Sequence, residues 1–252
     1  MTRAPKQQVV IGDVHGCLDE LEQLLAALRF DPRRQQLVFV GDYVDRGPAS
    51  AGVVRRVRQL TEEAGAVALM GNHDEKYVHH YLHHDCGTGR KSEAALVLLS
   101  PAKQAVYASL SPEDLEWLSQ RPYYYPGPGF LVVHAGICPL RHRTLEALTQ
   151  SQEARDRLIR IRKVDEKGHS LRLGMDNVPG ARPWWEMYDG RFGHIIHGHW
   201  RMDEVLRTRW STNVDTSCCY GGKLTAMIFE DLHAPAFLQV PARRRYHAPG
   251  AP

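Results

Sequence analysis

No stretch of the 252-residue chain approaches the ~18 consecutive apolar residues of a membrane-spanning helix. The opening residues, MTRAPKQQVVIGD, lack the long apolar segment that a signal peptide needs and pass straight into a strand-like run. Charge of one sign is scarce as well. A net charge of +3 and a pI near 8.6 are too weak to argue for a nucleic-acid partner, although they would not repel an anionic substrate. Cysteine is limited to Cys17, Cys86, Cys138, Cys218 and Cys219, an odd set without zinc-type spacing. These read as reduced thiols in a cytoplasmic protein. No internal repeat or low-complexity linker divides the sequence, so one domain over residues 1–252 is expected.

What is present is ordinary in amount and specific in order. Hydrophobic residues make up 43% and charged residues 24%, enough for a sizeable core. Short apolar runs recur, each closed by turn residues: QVVIGD, QLVFVGD, AVALMGN, FLVVHAG and HIIHGH. Their length and closure predict buried strands rather than helices. Between the first two, Leu18, Leu21, Leu24, Leu25 and Leu28 repeat at helical spacing; between the second and third, Val53, Val54, Val57 and Leu60 form one stripe. The resulting β-α-β-α-β order predicts parallel strands with helices on the faces. Further on, STNVDTS, KLTAMIFED and AFLQV read as an antiparallel meander turning at Gly221 and Gly222. Residues 139–190 show little core pattern and are expected to form a lid or substrate insertion, and residues 241–252 a flexible tail.

Taken singly, a polar residue after a strand is a helix cap or turn former. Taken together, five strands end in potential ligands: Asp13 and His15; Asp42; Asn72 and His73; His134; and His197 or His199. Strand C-terminal ends of an α/β sheet converge on one crevice, so these side chains would converge too. Burying so many carboxylates and imidazoles without a counter-charge is costly, and divalent metal removes that cost. Imidazole, carboxylate and amide oxygen without thiolate suit Mn²⁺, Fe or Zn²⁺ better than Ca²⁺ or an iron–sulfur cluster. Asp42, with its pair of oxygens, is the natural bridge between two ions. Such ions, ~3.5–4 Å apart, would polarise a phosphoryl group and share a hydroxide nucleophile.

The ordered motifs GDVHG, GDYVDRG, GNHD, HAG and GHW resemble the phosphoprotein phosphatase branch of the calcineurin-like metallophosphoesterases over roughly residues 8 to 230. The resemblance implies a four-layer α/β/β/α sandwich with two central mixed sheets and a dinuclear site at their edge. It also implies roles. Asp13 and His15 would hold one metal, Asp42 would bridge, and Asn72, His134 and His199 would hold the second. His73 would be the general acid, oriented by Asp45. Arg46 would clamp phosphate together with Asn72, and Arg182 in GARPWW would be a second phosphate-binding arginine. Two departures stand out: GNHD replaces the family's GNHE, and HGH offers His197 beside His199, with His197 expected to pack beneath the site.

Other features have blander readings. His79, His80, His83 and His84 could bind metal at their i, i+4 spacing, but read as a solvated helix rim. Tyr123–Tyr125, Trp184 and Trp185 serve base stacking or packing equally well. Cys218 and Cys219 read as small buried hydrophobes. Within the family, VDTSCCYGGKLTAMIFED and HGHW are most similar to bacterial symmetrical diadenosine tetraphosphatases, and GDYVDRGP with GNHDEKYV to bis(nucleosyl)-tetraphosphatases and RNA-repair phosphatases. The resemblance implies a phosphohydrolase acting on dinucleoside polyphosphates, with a Ser/Thr or dual-specificity protein phosphatase acting on phosphoproteins as the alternative. A catalytically dead interaction scaffold is a third reading, which the intact ligand set, Arg46 and the Asp45–His73 pair oppose.

Overall fold

In a buried strand, alternate side chains face opposite ways, so each run decides what lies on either side of it. The computed structural model describes residues 6–87, 99–139, 143–171 and 178–248. Strand β1 (Gln7–Ile11) pairs parallel with β2 (Gln35–Phe39) in the register Val9↔Leu37, Val10↔Val38 and Ile11↔Phe39. Val9, Ile11, Leu37 and Phe39 pack with the apolar stripes of α1 (Leu18–Leu28) and α2 (Ser50–Ala64). Val10 and Val38 face the other way, onto Phe130, Val132 and Ile196 of a second sheet.

The first sheet has the order β12-β11-β1-β2-β3, where β3 is Val67–Ala68, β11 is Lys223–Phe229 and β12 is Ala236–Pro241. The second has the order β4-β5-β8-β10-β9, built from β4 (Tyr124–Gly127), β5 (Phe130–Val133), β8 (His194–His197), β9 (Leu206–Arg207) and β10 (Ser211–Asn213). Both sheets are mixed: β1, β2 and β3 run parallel, as do β5, β8 and β10, while the remaining pairings are antiparallel. Helices α3 (Asn72–His80), α4 (Pro101–Ser109) and α5 (Pro112–Ser119) add to the layer outside the first sheet. The α/β/β/α layering is thus as expected.

Three local expectations need correction. STNVDTS and KLTAMIFED are not neighbours in one meander. Asn213 of β10 pairs parallel with His197 in the second sheet, whereas β11 and β12 complete the first. All three residues of β10 are buried, so it needs partners on both sides within a sheet interior, which no hairpin to β11 would give. The described part of residues 139–190 is not a loose insertion. It contributes α6 (Gln152–Arg160) and the short pair β6 (Lys163–Val164) and β7 (Arg182–Pro183). Leu158, Ile159, Val164 and Trp184 cover Leu131, Val133 and Ile195 on the outer face of the second sheet. Arg160 of α6 meets the buried Glu75 of α3 at 2.6 Å, tying this layer to the first. Residues 140–142 and 172–177 of that segment lie outside the described residues.

The tail expectation also fails over its first residues. Ala242 N–H donates to Gly222, Tyr246 and His247 N–H donate to the Cys219 carbonyl, and the buried Glu20 carboxylate accepts from Arg243 N–H and Tyr246 O–H. A buried acid with two donors is a strong local anchor. Residues 249–252 lie outside the described residues.

Trp184 tests the structural role of the 139–190 layer. Its ring is fully buried and its Nε1–H donates to Ala135 at 3.2 Å. Trp184→Ala is expected to destabilise the protein by about 3–5 kcal/mol, read from the midpoint of guanidinium unfolding. A lid would leave that midpoint in place.

Candidate metal centre

Backbone contacts hold together the strand ends that carry the candidate donors. Val14 and His15 N–H donate to the Asp42 carbonyl at 3.2 and 2.8 Å, and Gly16 N–H to Tyr43 at 2.8 Å. The Asp74 carboxylate, fully buried, accepts from the N–H groups of Asp42, Tyr43, Val44 and Gly71 at 2.7, 2.9, 3.3 and 3.1 Å. One acid therefore clasps two loops. Glycine is required where these loops touch: a Cβ on Gly71 would overlap Asp42, and one on Gly198 would overlap the Asp13 carboxylate. Among the described residues, positive φ in non-glycine residues occurs at His15, Arg29, Asp42, Asp45, Arg46, His199 and Ser217, and all but Arg29 belong to these strand-end loops. Each such conformation costs on the order of 1–3 kcal/mol, and the surrounding hydrogen bonds hold it in place.

The side chains gather into two groups that share Asp42. His15, Asp42 and His73 form one, and Asp42, His134 and His199 the other, with candidate ligand atoms in each group within 4.8 Å of one another. Asp42 Oδ2 lies 3.3 Å from His15 Nε2, and its Oδ1 lies 3.5 Å from His134 Nε2. Asp13 Oδ2 is 4.0 Å from His15 Nε2, and both its oxygens accept from His199 N–H, at 3.1 and 3.2 Å. Asn72 Oδ1 joins the second group, 3.0 Å from His134 Nε2 and 2.7 Å from His199 Nδ1. His15 Nδ1–H donates to the Val44 carbonyl at 2.8 Å and His134 Nδ1–H to Val40 at 3.1 Å, which aims both Nε2 lone pairs inward.

Electrostatics fit a cation here. Burial and then Arg46 hold His15 well below its ordinary pKa, and burial lowers His134. Burial, then His134 and Arg162, do the same for His199. Neutral imidazole is the ligand form. Burial would raise Asp42, but the surrounding imidazoles and Arg46 outweigh it and keep its carboxyl well below the usual range. Asp13 goes the other way, pushed up by burial and then by Asp215 and Asp42. Uncompensated carboxylates and inward lone pairs are what a divalent ion would satisfy.

Beside the first group, His73 Nδ1 lies 2.5 Å from Asp45 Oδ2, and Tyr77 O–H donates to the other Asp45 oxygen. Burial opposes a charged Asp45, but the hydrogen bonds from His73 and Tyr77 outweigh it and hold the carboxyl below its usual range. Arg46 spans the two imidazoles, with Nη1 2.6 Å from His15 Nε2 and Nη2 2.9 Å from His73 Nε2. His197 stays outside both groups. Its ring packs on Trp184 and Trp185 at centroid distances of 5.1 and 5.7 Å. His80, His83 and His84 pack ring to ring at the end of α3 and His79 lies 3.9 Å from Glu75, and none of the four belongs to a three-donor group among the described residues.

No contact links Arg182 to this cluster among the described residues. It is exposed on β7, and its side chain makes no hydrogen bond or ion pair among them. The arginine whose charge bears on His199 is Arg162, with a buried Nε that has no hydrogen-bond partner. Nothing in the sequence around Arg162 marks it, whereas its backbone carbonyl, accepting from Trp184 N–H at 3.1 Å, sets it at the edge of the β6–β7 pair. Asp215 was also missed. It follows β10, lies buried beside Asp13, and burial pushes it up to about 6. Its position two residues beyond a strand, in VDTS, repeats the spacing of Asp13 after β1 and is the signal the sequence offers for it.

Asp74→Asn keeps the shape but replaces one accepting oxygen by an NH2 group, which turns a donor toward backbone donors. It is expected to destabilise the protein by about 2 kcal/mol or more, read from denaturant unfolding. An unchanged midpoint would mean that the loops at Asp42 and Gly71 hold without it.

Residues 8–202 match the family described as calcineurin-like phosphoesterase. The symmetrical bis(5'-nucleosyl)-tetraphosphatase of Serratia proteamaculans is 31% identical, with 94% of each chain covered. The asymmetrical bis(5'-nucleosyl)-tetraphosphatase PrpE of Halalkalibacterium halodurans is 28% identical, covering 93% of this chain and 94% of that protein. A crystal structure provisionally described as a diadenosine tetraphosphatase superposes with a TM-score of 0.73 at 26% identity, covering 96% of both chains. With the shared length, the layered sheets and the ordered strand-end motifs all agreeing, this chain belongs to the calcineurin-like phosphoesterases and is a hydrolase.

Proposed function

We propose that the chain, as a single domain, is a two-metal phosphohydrolase of dinucleoside polyphosphates. The observation that carries the two-metal reading is the division of Asp42, one carboxylate oxygen toward each donor group. Asp13, His15 and Asp42 would hold one ion, and Asp42, Asn72, His134 and His199 the other. Mn²⁺ suits this donor set best, with Fe or Zn²⁺ as alternatives. Such ions supply Lewis-acid charge and an activated water when bound.

The chain's own residues do the rest. Arg46 presents a planar fork to the phosphate, and Arg162, rather than Arg182, supplies the second positive charge. His73 delivers a proton from Nε2 to the leaving oxygen, and Asp45, held ionised, stabilises the imidazolium through Nδ1. Phosphate binding draws Arg46 off His73 Nε2 and sets negative charge beside it, which makes that nitrogen easier to protonate. The tetraphosphatase names of the relatives support the substrate class, and the phosphoprotein alternative uses the same machinery. All five cysteines are free thiols, which supports a reducing, cytoplasmic setting.

Incubation of Mn²⁺-loaded protein with diadenosine tetraphosphate, resolved by chromatography, is expected to yield ADP. No nucleotide product, alongside brisk phosphate release from phosphopeptides, would replace this reading with the protein phosphatase. His73→Asn is expected to lower kcat by ~10²–10⁴-fold with bound metal retained. His199→Gln should lose metal in elemental analysis where His197→Gln keeps it; equal loss in both would move the ligand assignment.

A further inference from the structure

More positive charge surrounds His73 than the attacked phosphate needs. A cavity of about 320 Å³ opens there, lined among others by Asp45, Arg46, His73, Lys103, Tyr220 and His247. Its walls come from the Asp45–Gly47 loop, His73 at the start of α3, the first half of α4, and Tyr220 with His247 packed against it. Lys103 lies in the first turn of α4, and Lys76 lies one turn beyond His73 on α3. Among the described residues, neither lysine has a hydrogen-bond or ion-pair partner. They are close enough to oppose each other: burial first, and then Lys103, lowers the basicity of Lys76. Across the cavity, the guanidinium carbons of Arg46 and Arg201 lie 5.3 and 4.4 Å from the centre of the Tyr220 ring. The one acid lining the cavity is Asp45, whose oxygens are already engaged by His73 and Tyr77.

Cations gathered around a concavity without matching acids favour an anion inside it. We propose that this cavity seats the polyphosphate chain beyond the phosphate under attack, with Lys103 as its principal contact and Lys76 adding charge from behind. The proposal rests on the polyphosphate reading above and deepens it. A phosphomonoester needs only the Arg46 end of this cleft, whereas a tri- or tetraphosphate extends past it. Lysine suits that task. Its ammonium is a point charge on a flexible stem, able to follow successive phosphates without the fixed geometry of a guanidinium fork. Arg46, at the junction, would meet the attacked phosphate on one side and its neighbour on the other.

The test uses inorganic anions, which carry no nucleoside. Inhibition of para-nitrophenyl phosphate turnover by tripolyphosphate and by orthophosphate is measured at one fixed free Mn²⁺ concentration, for the native protein, Lys103→Ala, Lys103→Glu and Lys103→Arg. Tripolyphosphate should bind the native protein more tightly than orthophosphate. That ratio of inhibition constants should shrink tenfold or more in Lys103→Ala and further in Lys103→Glu, and Lys103→Arg should recover most of it. A ratio equal to native in the alanine and glutamate variants would overturn the proposal. So would an equal weakening of both anions, which would place Lys103 at the attacked phosphate instead. If diadenosine tetraphosphate proved a poor substrate while the tripolyphosphate ratio responded as stated, the substrate reading would fail and the subsite would stand.

Discussion

The grip of Asp74 on the N–H groups of Asp42, Tyr43, Val44 and Gly71 is the contact on which the centre depends. Those loops hold Asp42, Asp45 and Arg46 at positive φ, conformations that the chain would leave if they were not over-determined. A carboxylate shared among several backbone donors in a low-dielectric interior supplies that constraint without adding bulk. It also explains the close approach at Gly71, where a side chain would displace Asp42 from the place at which both donor groups meet it.

The second requirement is orientation of the imidazoles, and the strands themselves meet it. The carbonyls of Val40 and Val44, at and just beyond the end of the same apolar run, take the Nδ1 protons of His134 and His15. Main-chain atoms thus select the tautomer, and the cluster's geometry follows from the rigidity of a sheet edge buried under a four-layer core. Sites built on rigid elements hold their geometry better than sites on free loops.

Much of this was legible in residue order. Five apolar runs ending in Asp, Asn or His predicted both the parallel strands and the convergence of their ends, because period and burial are local properties. What was hidden is non-local. The three buried residues of β10 do not say which sheet receives them, and the sequence around Arg162 does not show that the fold carries it toward His199 while Arg182, beside a conspicuous Trp pair, stays exposed. Backbone acceptors such as Val40 and Val44 carry no residue-type signal at all. Residues 241–252 read as a flexible tail because the anchors of residues 242–247, Gly222, Glu20 and the Cys219 carbonyl, carry no signal near them in sequence.

That last anchorage bears on when the protein can come into being. Strand β1, which carries Asp13 and His15, lies between β2 and β11, and the start of α1 is fastened by Arg243 and Tyr246. The candidate donors Asp13 and His15 therefore wait for residues some two hundred positions later before their sheet is complete. Pairings of such sequence separation are slow to form. During translation the early β-α-β segment is an unfinished edge, and the donor cluster cannot close until β11 has been made.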